Sequence, residues 1–403
     1  MTARCVVCGT ATSRVLVDFG PQPPSNRYLR PNERELDRRE LRVGQCQRCG
    51  LIQLSDPMPS AMVRSHFSWL TYNEPESHLD ALVERLVALP GFTKQSNVFG
   101  LTYKDDSTLQ RFSRRGYERT KRFDAADDFG IDDSLASLET IQEVVATDNL
   151  AKLSDKHGLA DVLLVRHILE HAHDPRKFLA GAMRLVRAGG HAVFEMPDSR
   201  KFLEALDYSF IWEEHITYFT PDCLHNFMCE AGVDEVSVFS YPYLFEDSLT
   251  AIVRKPADGV QVRLQSRHPI EHELNRGNRF GDEYAPTKAA IHDALASLQS
   301  SGKRIAIFGA GHLAAKFVNL FDVSKWIDCV IDDHPGKRGL TMPGSRLPIH
   351  GSEALSDVNV CLLALSPESE KKVVAAKQAF IAGGGVFQSI FALSPMSFSR
   401  TIR

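Results

Sequence analysis

"ADVLLVRHILEHAHDPRKFLAGAMRLVRAGGHAVFEMPD", Ala160 to Asp198, decides how the rest of the chain is read. "ADVLLV" is a short apolar run of strand type, "PRKFLAGAMRLVRAGG" a helical pattern closed by glycine, and "HAVFEMP" a second strand candidate. A strand, a crossover helix and another strand argue for a parallel sheet with helices on its faces. The same alternation extends upstream through "NVFGL" and "STLQRFSRRG". Beyond a polar, charge-mixed stretch that reads as a linker with a helix, "KRIAIFGAGHLAAKFVNLF" restarts a strand–turn–helix unit. "WIDCVIDD", "NVCLLAL" and "GGGVFQSIF" follow it as further strands. The expected fold class is α/β, in three units. Residues 1–75 are expected to form a small N-terminal module, 76–255 a Rossmann-like domain, and 256–403 a second, smaller Rossmann-like domain.

The 403 residues suit two to three domains of about 150 residues each. A hydrophobic content of 43% can fill their cores, and a net charge of −4 implies no polyanion, so no nucleic-acid partner is expected. No apolar run is long enough to span a bilayer, and "MTARCVVCG" lacks the apolar stretch of a signal peptide. The expected setting is the reducing cytoplasm, with no membrane partner and a monomer or small homo-oligomer.

Four of the eight cysteines lie near the N-terminus as Cys5-x-x-Cys8-Gly9 and Cys46-x-x-Cys49-Gly50. Each pair can place two thiolates on one ion, and the glycine lets the turn close so that backbone N–H groups point at sulfur. Four thiolates make a closed, structural zinc site. A module this polar has little core of its own, so the metal is expected to fold it. Cys223, Cys229, Cys329 and Cys361 read as small apolar packers.

Two further motifs carry chemistry. Arg166, His167, Glu170 and His171 fall at the carboxyl end of the strand "DVLLV", where ligand crevices of open parallel sheets lie. Trp212, Glu213, Glu214, His215, Tyr218 and Phe219 stand together in "IWEEHITYF". A histidine beside a carboxylate can be tuned as a general base, and Trp212 and Tyr218 can stack on a sugar or base and donate a hydrogen bond. Glu195 ends the next strand on the same rim. Three acid–histidine clusters on one sheet edge read as a site rather than as surface residues.

Taken in order, these motifs resemble the zinc-containing, S-adenosylmethionine-dependent sugar C-methyltransferases, which act on nucleotide-linked keto-deoxysugars. The resemblance covers nearly the whole chain. The knuckles are bridged by "VDFGPQPPSNRYL", similar to the family's G-x-QP-x-x-N segment, and "CGLIQL" follows the second. "RHILEH", "EEHITYF", "IAIFGAG" and "DDHPGKRGLTMPGSRLPIHGSEAL" match in turn. The resemblance implies a base that removes the proton beside a 4-keto group, leaving an enediolate to take the methyl group. By motif match His215 is that base, with Glu214 beside it, His171 as a second histidine and Tyr72 as an active-site tyrosine. Trp212, Tyr218, Glu195 and Lys316 are the expected substrate contacts. Gly100, Asp105, Asp124 and Arg166 are the expected contacts of S-adenosylmethionine.

The chain departs from the family in two places. Trp212-Glu213-Glu214-His215 stands where Tyr-His-Glu-His is common, which removes a hydroxyl. The cofactor loop, commonly E-x-G-x-x-x-G, reads "GLTYKDDSTLQRF" here and keeps only Gly100. Asp105 and Asp106 are N-cap candidates for the helix that follows. Carboxylates there disfavour a pyrophosphate and tolerate the cationic end of S-adenosylmethionine. The alternative reading keeps the sugar site and drops the methyl donor, leaving His215, Glu214 and His171 to isomerise or epimerise by enolisation alone. A scaffold without chemistry would not need the two histidine clusters. In the third unit Gly309-Ala310-Gly311, with Asp332 and Asp333 downstream, has the spacing of a nicotinamide site. The resemblance points instead to a domain that helps hold the nucleotide sugar.

Overall fold

A computed structural model describes residues 4–401 except 12, 35–36, 68–73, 134–137, 148–149 and 260–265. The N-terminal strands are β1 (Ser13–Gln22), β2 (Arg39–Cys46) and β3 (Ile52–Leu54). The central ones are β4 (Val98–Gly100), β5 (Thr120–Arg122), β6 (Ala160–Arg166), β7 (Val186–Asp198), β8 (Thr217–Tyr218), β9 (Val236–Tyr241) and β10 (Asp247–Arg254). Last come β11 (Ile305–Phe308), β12 (Cys329–Ile331), β13 (Ile349–His350), β14 (Val360–Leu363) and β15 (Val386–Ser389).

The stretch from Ala160 folds as its pattern dictates. Val162, Leu163, Leu164 and Val165 of β6 are all fully buried, because helices cover both faces of a central parallel strand. The helix Pro175–Arg184 starts where Asp174 accepts a hydrogen bond from the Lys177 N–H at 3.0 Å, with Pro175 at the first helical position. It turns Phe178, Leu179 and Ala182 into the core, and the two large side chains contribute roughly 1.5–3 kcal/mol each by leaving water.

The central sheet has the order β5-β4-β6-β7-β10-β9. Strands β5, β4, β6 and β7 are parallel, and β10 runs antiparallel to both β7 and β9. The chain leaves β4 in opposite directions to reach β5 and β6, so the switch point lies between Gly100 and Arg166, where open α/β sheets bind ligands. The third sheet, β13-β12-β11-β14-β15, is wholly parallel and switches between β11 and β14, beside Gly309.

The small sheet β1-β2-β3-β8 is antiparallel and borrows its last strand from the centre of the chain. Ile52 pairs with Tyr218 and Gln53 with Thr217, and the Leu54 N–H donates to Ile216 O at 2.9 Å. The polar stretch read as a linker contains two helices, Glu271–Asp282 and Tyr284–Ser300. The first packs on the cysteine module, where Gln45 Nε2 donates to Glu273 O at 2.6 Å. No helix among the described residues is long and apolar enough to cross a membrane.

Candidate active site

The four N-terminal cysteines are buried and converge. Cys5 and Cys49 sulfurs lie 3.6 Å apart, and those of Cys8 and Cys46 3.5 Å. Four sulfurs about 2.3 Å from a tetrahedral zinc stand roughly 3.8 Å apart, so the set fits the metal. The Cys8 N–H donates to Cys5 Sγ at 3.4 Å. Gly9 and Gly50 sit at φ 73° and 77°, which explains the glycine after each pair: the knuckle turn needs the left-handed region.

The rim of the central sheet gathers the second constellation. His167 follows β6 at φ 51°, a strained value for a residue with a side chain, and its N–H donates to Glu195 O at 2.7 Å. That turn is followed by Glu170 and His171, both buried. His171 Nδ1 lies 3.1 Å from Glu139 Oε1, and its ring meets that of His215 edge-on at 4.8 Å. Trp212 lies 4.9 Å from the His215 ring and stacks on His312 at 4.3 Å. Asn26 Nδ2 donates to Glu214 Oε1 at 2.9 Å. Ser25 N–H and the Lys316 ammonium both bind Glu213.

Charge follows from this crowding. Burial, with His171 and His312 nearby, pushes His215 well below the ordinary histidine value, so at neutral pH it is an unprotonated base. Burial and the charges of Glu139 and Glu213 push Glu214 well above the carboxylate range, toward the neutral acid. His167 goes the other way: burial opposes its charge, but Glu74, Glu170 and Glu195 raise it to about 9.

His215, Glu214, His171 and Trp212 thus come together, and Tyr72 lies outside the described residues. Tyr218 takes a different part from the one expected. Its hydroxyl accepts from the Trp212 N–H at 2.9 Å and donates to Trp212 O at 3.0 Å, so it positions the indole from within the core. Lys316 is fully buried against Glu213, and Glu195 is fully buried among Arg166, His167 and His78. Neither has a face left for a substrate.

The expected cofactor residues fold onto one another. Asp105 Oδ2 accepts from the Leu101 and Thr102 N–H groups, both at 2.8 Å, and Oδ1 from the Arg166 N–H at 3.1 Å. It therefore points back into its own loop instead of capping the next helix, where Asp106 is the first residue. The Arg166 guanidinium, 1% exposed, is held by Lys104 O, Ser107 Oγ and Glu195 Oε1. Asp124 is exposed and caps its own turn through the Ala126 and Asp127 N–H groups. Gly100 serves the loop: a Cβ there would stand 2.7 Å from Asp105 Cβ and 2.9 Å from Leu109 Cδ1. Gly100→Ala is expected to lower stability by about 1–3 kcal/mol through overpacking, read as a fall in melting temperature. In the third sheet Asp332 accepts from the Ala310 and His334 N–H groups and from Lys337 Nζ, all at 2.9 Å, so its carboxylate is turned onto the protein instead of toward a ribose.

Five residues in and around the site stand outside the two histidine motifs. Ser25 and Asn26 lie in the "PPSNRYL" segment and reach across from the zinc module. Glu139 and Gln142 both lie on the buried face of the helix Leu138–Val145, among Leu138, Ile141 and Val145. Carboxylate and amide on an apolar stripe are the sequence signal for them. His312 follows the GAG turn and is visible only through its stacking on Trp212.

Comparison with known proteins agrees with this arrangement. Residues 5–62 match a family described as a zinc binding domain, 103–238 a methyltransferase domain, and 253–393 a C-methyltransferase C-terminal domain. The C-methyltransferase NovU of Streptomyces niveus is 23% identical over 396 residues, spanning 95% of this chain and 94% of that protein. Among solved structures, magnesium protoporphyrin IX methyltransferase of Synechocystis is 14% identical over 45% of this chain and 83% of its own, with a TM-score of 0.32. A SAM-dependent methyltransferase of Archaeoglobus fulgidus is 11% identical over 45% and 95%, with a TM-score of 0.31. The three domain families follow one another in order and the alignment with NovU runs nearly end to end, so the chain is similar over almost its whole length to C-methyltransferases that carry a zinc binding domain.

Proposed function

We propose that the protein alkylates carbon beside the keto group of a nucleotide-linked keto-sugar, by enolisation followed by methyl transfer. The observation that carries this reading is His215, a half-buried and neutral imidazole in ring contact with His171 and Trp212 and next in sequence to Glu214. A keto group acidifies the adjacent C–H. His215 removes that proton, and the electron pair moves onto the carbonyl oxygen as an enediolate, with Glu214, shifted toward its neutral form, placed to donate to it. Trp212, stacked on His312, offers an aromatic wall for the sugar. The methyl donor of the family supplies the electrophile.

The cofactor loop is closed on itself, so S-adenosylmethionine must displace protein contacts to bind there. The N–H groups of Leu101 and Thr102 already bind Asp105, and the buried Arg166 guanidinium is tied to Lys104 O and Glu195. The closed loop favours a second reading, enolisation without methyl transfer. Two measurements separate them. With nucleotide-linked 4-keto sugar in D2O and no donor, deuterium is expected at the carbon beside the carbonyl under both readings. Calorimetry with S-adenosylmethionine, sugar present, is expected to show binding if the loop opens. No heat up to millimolar ligand removes the methyl-transfer step and leaves the enolisation.

A further inference from the structure

We propose that Glu139, His171 and Glu214 hold a divalent transition-metal ion, a second metal site separate from the four cysteines. One ligand atom from each of the three lies within 4.8 Å of the others, and all three residues are buried. His171 Nδ1 stands 3.1 Å from Glu139 Oε1. The Glu139 and Glu214 carboxyls thus bring an oxygen each within 4.8 Å of one another in a buried place. Such a pair is stable only around a shared proton or a cation. Among the described residues Glu214 makes no ion pair, and its Oε1 accepts only the Asn26 amide.

Glu170 gives an independent indication. It is 2% exposed, and neither carboxylate oxygen accepts a hydrogen bond; the nearest cationic group is His167 Nδ1 at 3.6 Å. Glu170, His171 and His215 also bring one ligand atom each within 4.8 Å of one another, so the orphaned carboxylate faces the same imidazole. Burying a carboxylate without partners is costly, and a nearby dication removes that cost. One imidazole with two carboxylates suits manganese, iron, cobalt or zinc rather than a soft thiolate ion. At this place the ion acts as a Lewis acid toward a carbonyl oxygen, in place of a proton on Glu214 and beside the base His215. The site does not depend on the enolisation reading, because its test reads metal and not turnover.

Manganese is the probe, since the thiolate site holds zinc against it. The full-length zinc protein is expected to bind one Mn2+ per chain in equilibrium dialysis with spin-resonance detection. Glu139→Gln and Glu214→Gln, close in shape and lacking the charge, are each expected to weaken it by tenfold or more while zinc content and circular dichroism are unchanged. Co2+ added to the wild type covers the case in which the variants do not fold. It is expected to give weak ligand-field bands of an oxygen–nitrogen site. Absence of saturable Mn2+ binding up to millimolar, undiminished affinity in both folded variants, or intense thiolate-to-cobalt charge transfer as the only signal overturns the proposal and leaves the carboxyls sharing a proton.

Discussion

His215→Asn is expected to abolish solvent-deuterium exchange and methyl transfer together, by about 10²–10⁴-fold, which is what a positioned base contributes. Asparagine keeps the approximate size and a polar tip, so packing against Trp212 and His171 survives and the loss belongs to the chemistry. The pH dependence gives a second readout with a definite sign. The base works unprotonated, and His215 is held well below its ordinary value by burial and by the neighbouring His171 and His312. The acid limb of the rate therefore lies below about pH 6.5, the ordinary histidine value, and the rate is flat from there through neutrality. A rate that falls as pH drops through 7 assigns the proton transfer to another group. Unchanged exchange in the variant removes His215 as the base.

The elements most legible in the sequence were those whose reason is local. Strand β6 and its helix are written in an apolar run and a 3.6-residue pattern, and the zinc site in two CxxCG pairs whose glycines the geometry requires. The histidine clusters were legible because a strand end followed by His and Glu has few structural uses. What could not be read depends on partners distant in sequence. Lys316 lies far along the chain from Glu213, and nothing in either neighbourhood says that one neutralises the other. Glu195 and Arg166 end adjacent parallel strands, where β6–β7 pairing sets Arg166 opposite Glu195. Once buried together they must pair, since either alone would be an uncompensated charge. The same rule closes the cofactor loop. Asp105 and Arg166 were each credible as ligand contacts singly, but a buried carboxylate beside free N–H groups satisfies itself first. Side-chain identity announced polar work at these positions without saying whether the partner was a ligand or the protein.

Removal of zinc is expected to abolish activity although no cysteine touches the reacting groups. Cys46 ends β2 and Cys49 lies just before β3, so the ion fixes the hairpin on which β8 is paired. Strand β8 begins two residues after His215, and the Leu54 N–H holds Ile216 O. From the same module Ser25 binds Glu213 and Asn26 binds Glu214. Loss of the ion thus releases the register of Glu213, Glu214 and His215 together. Zinc contributes about 10–16 kcal/mol to folding in small metal-dependent modules, as much as the whole stability of many domains, about 5–15 kcal/mol. Cys46→Ser, or exhaustive chelation, is expected to lower kcat by at least 10²-fold, since a displacement of about 1 Å already costs that much. The helices and the two larger sheets have their own cores and should keep most of the far-ultraviolet dichroism. Cys229→Ser, outside the metal set and half-buried, serves as the control and should retain zinc and turnover. A zinc-free protein with full activity would separate the knuckles from the site and leave β3–β8 pairing to hold His215 alone.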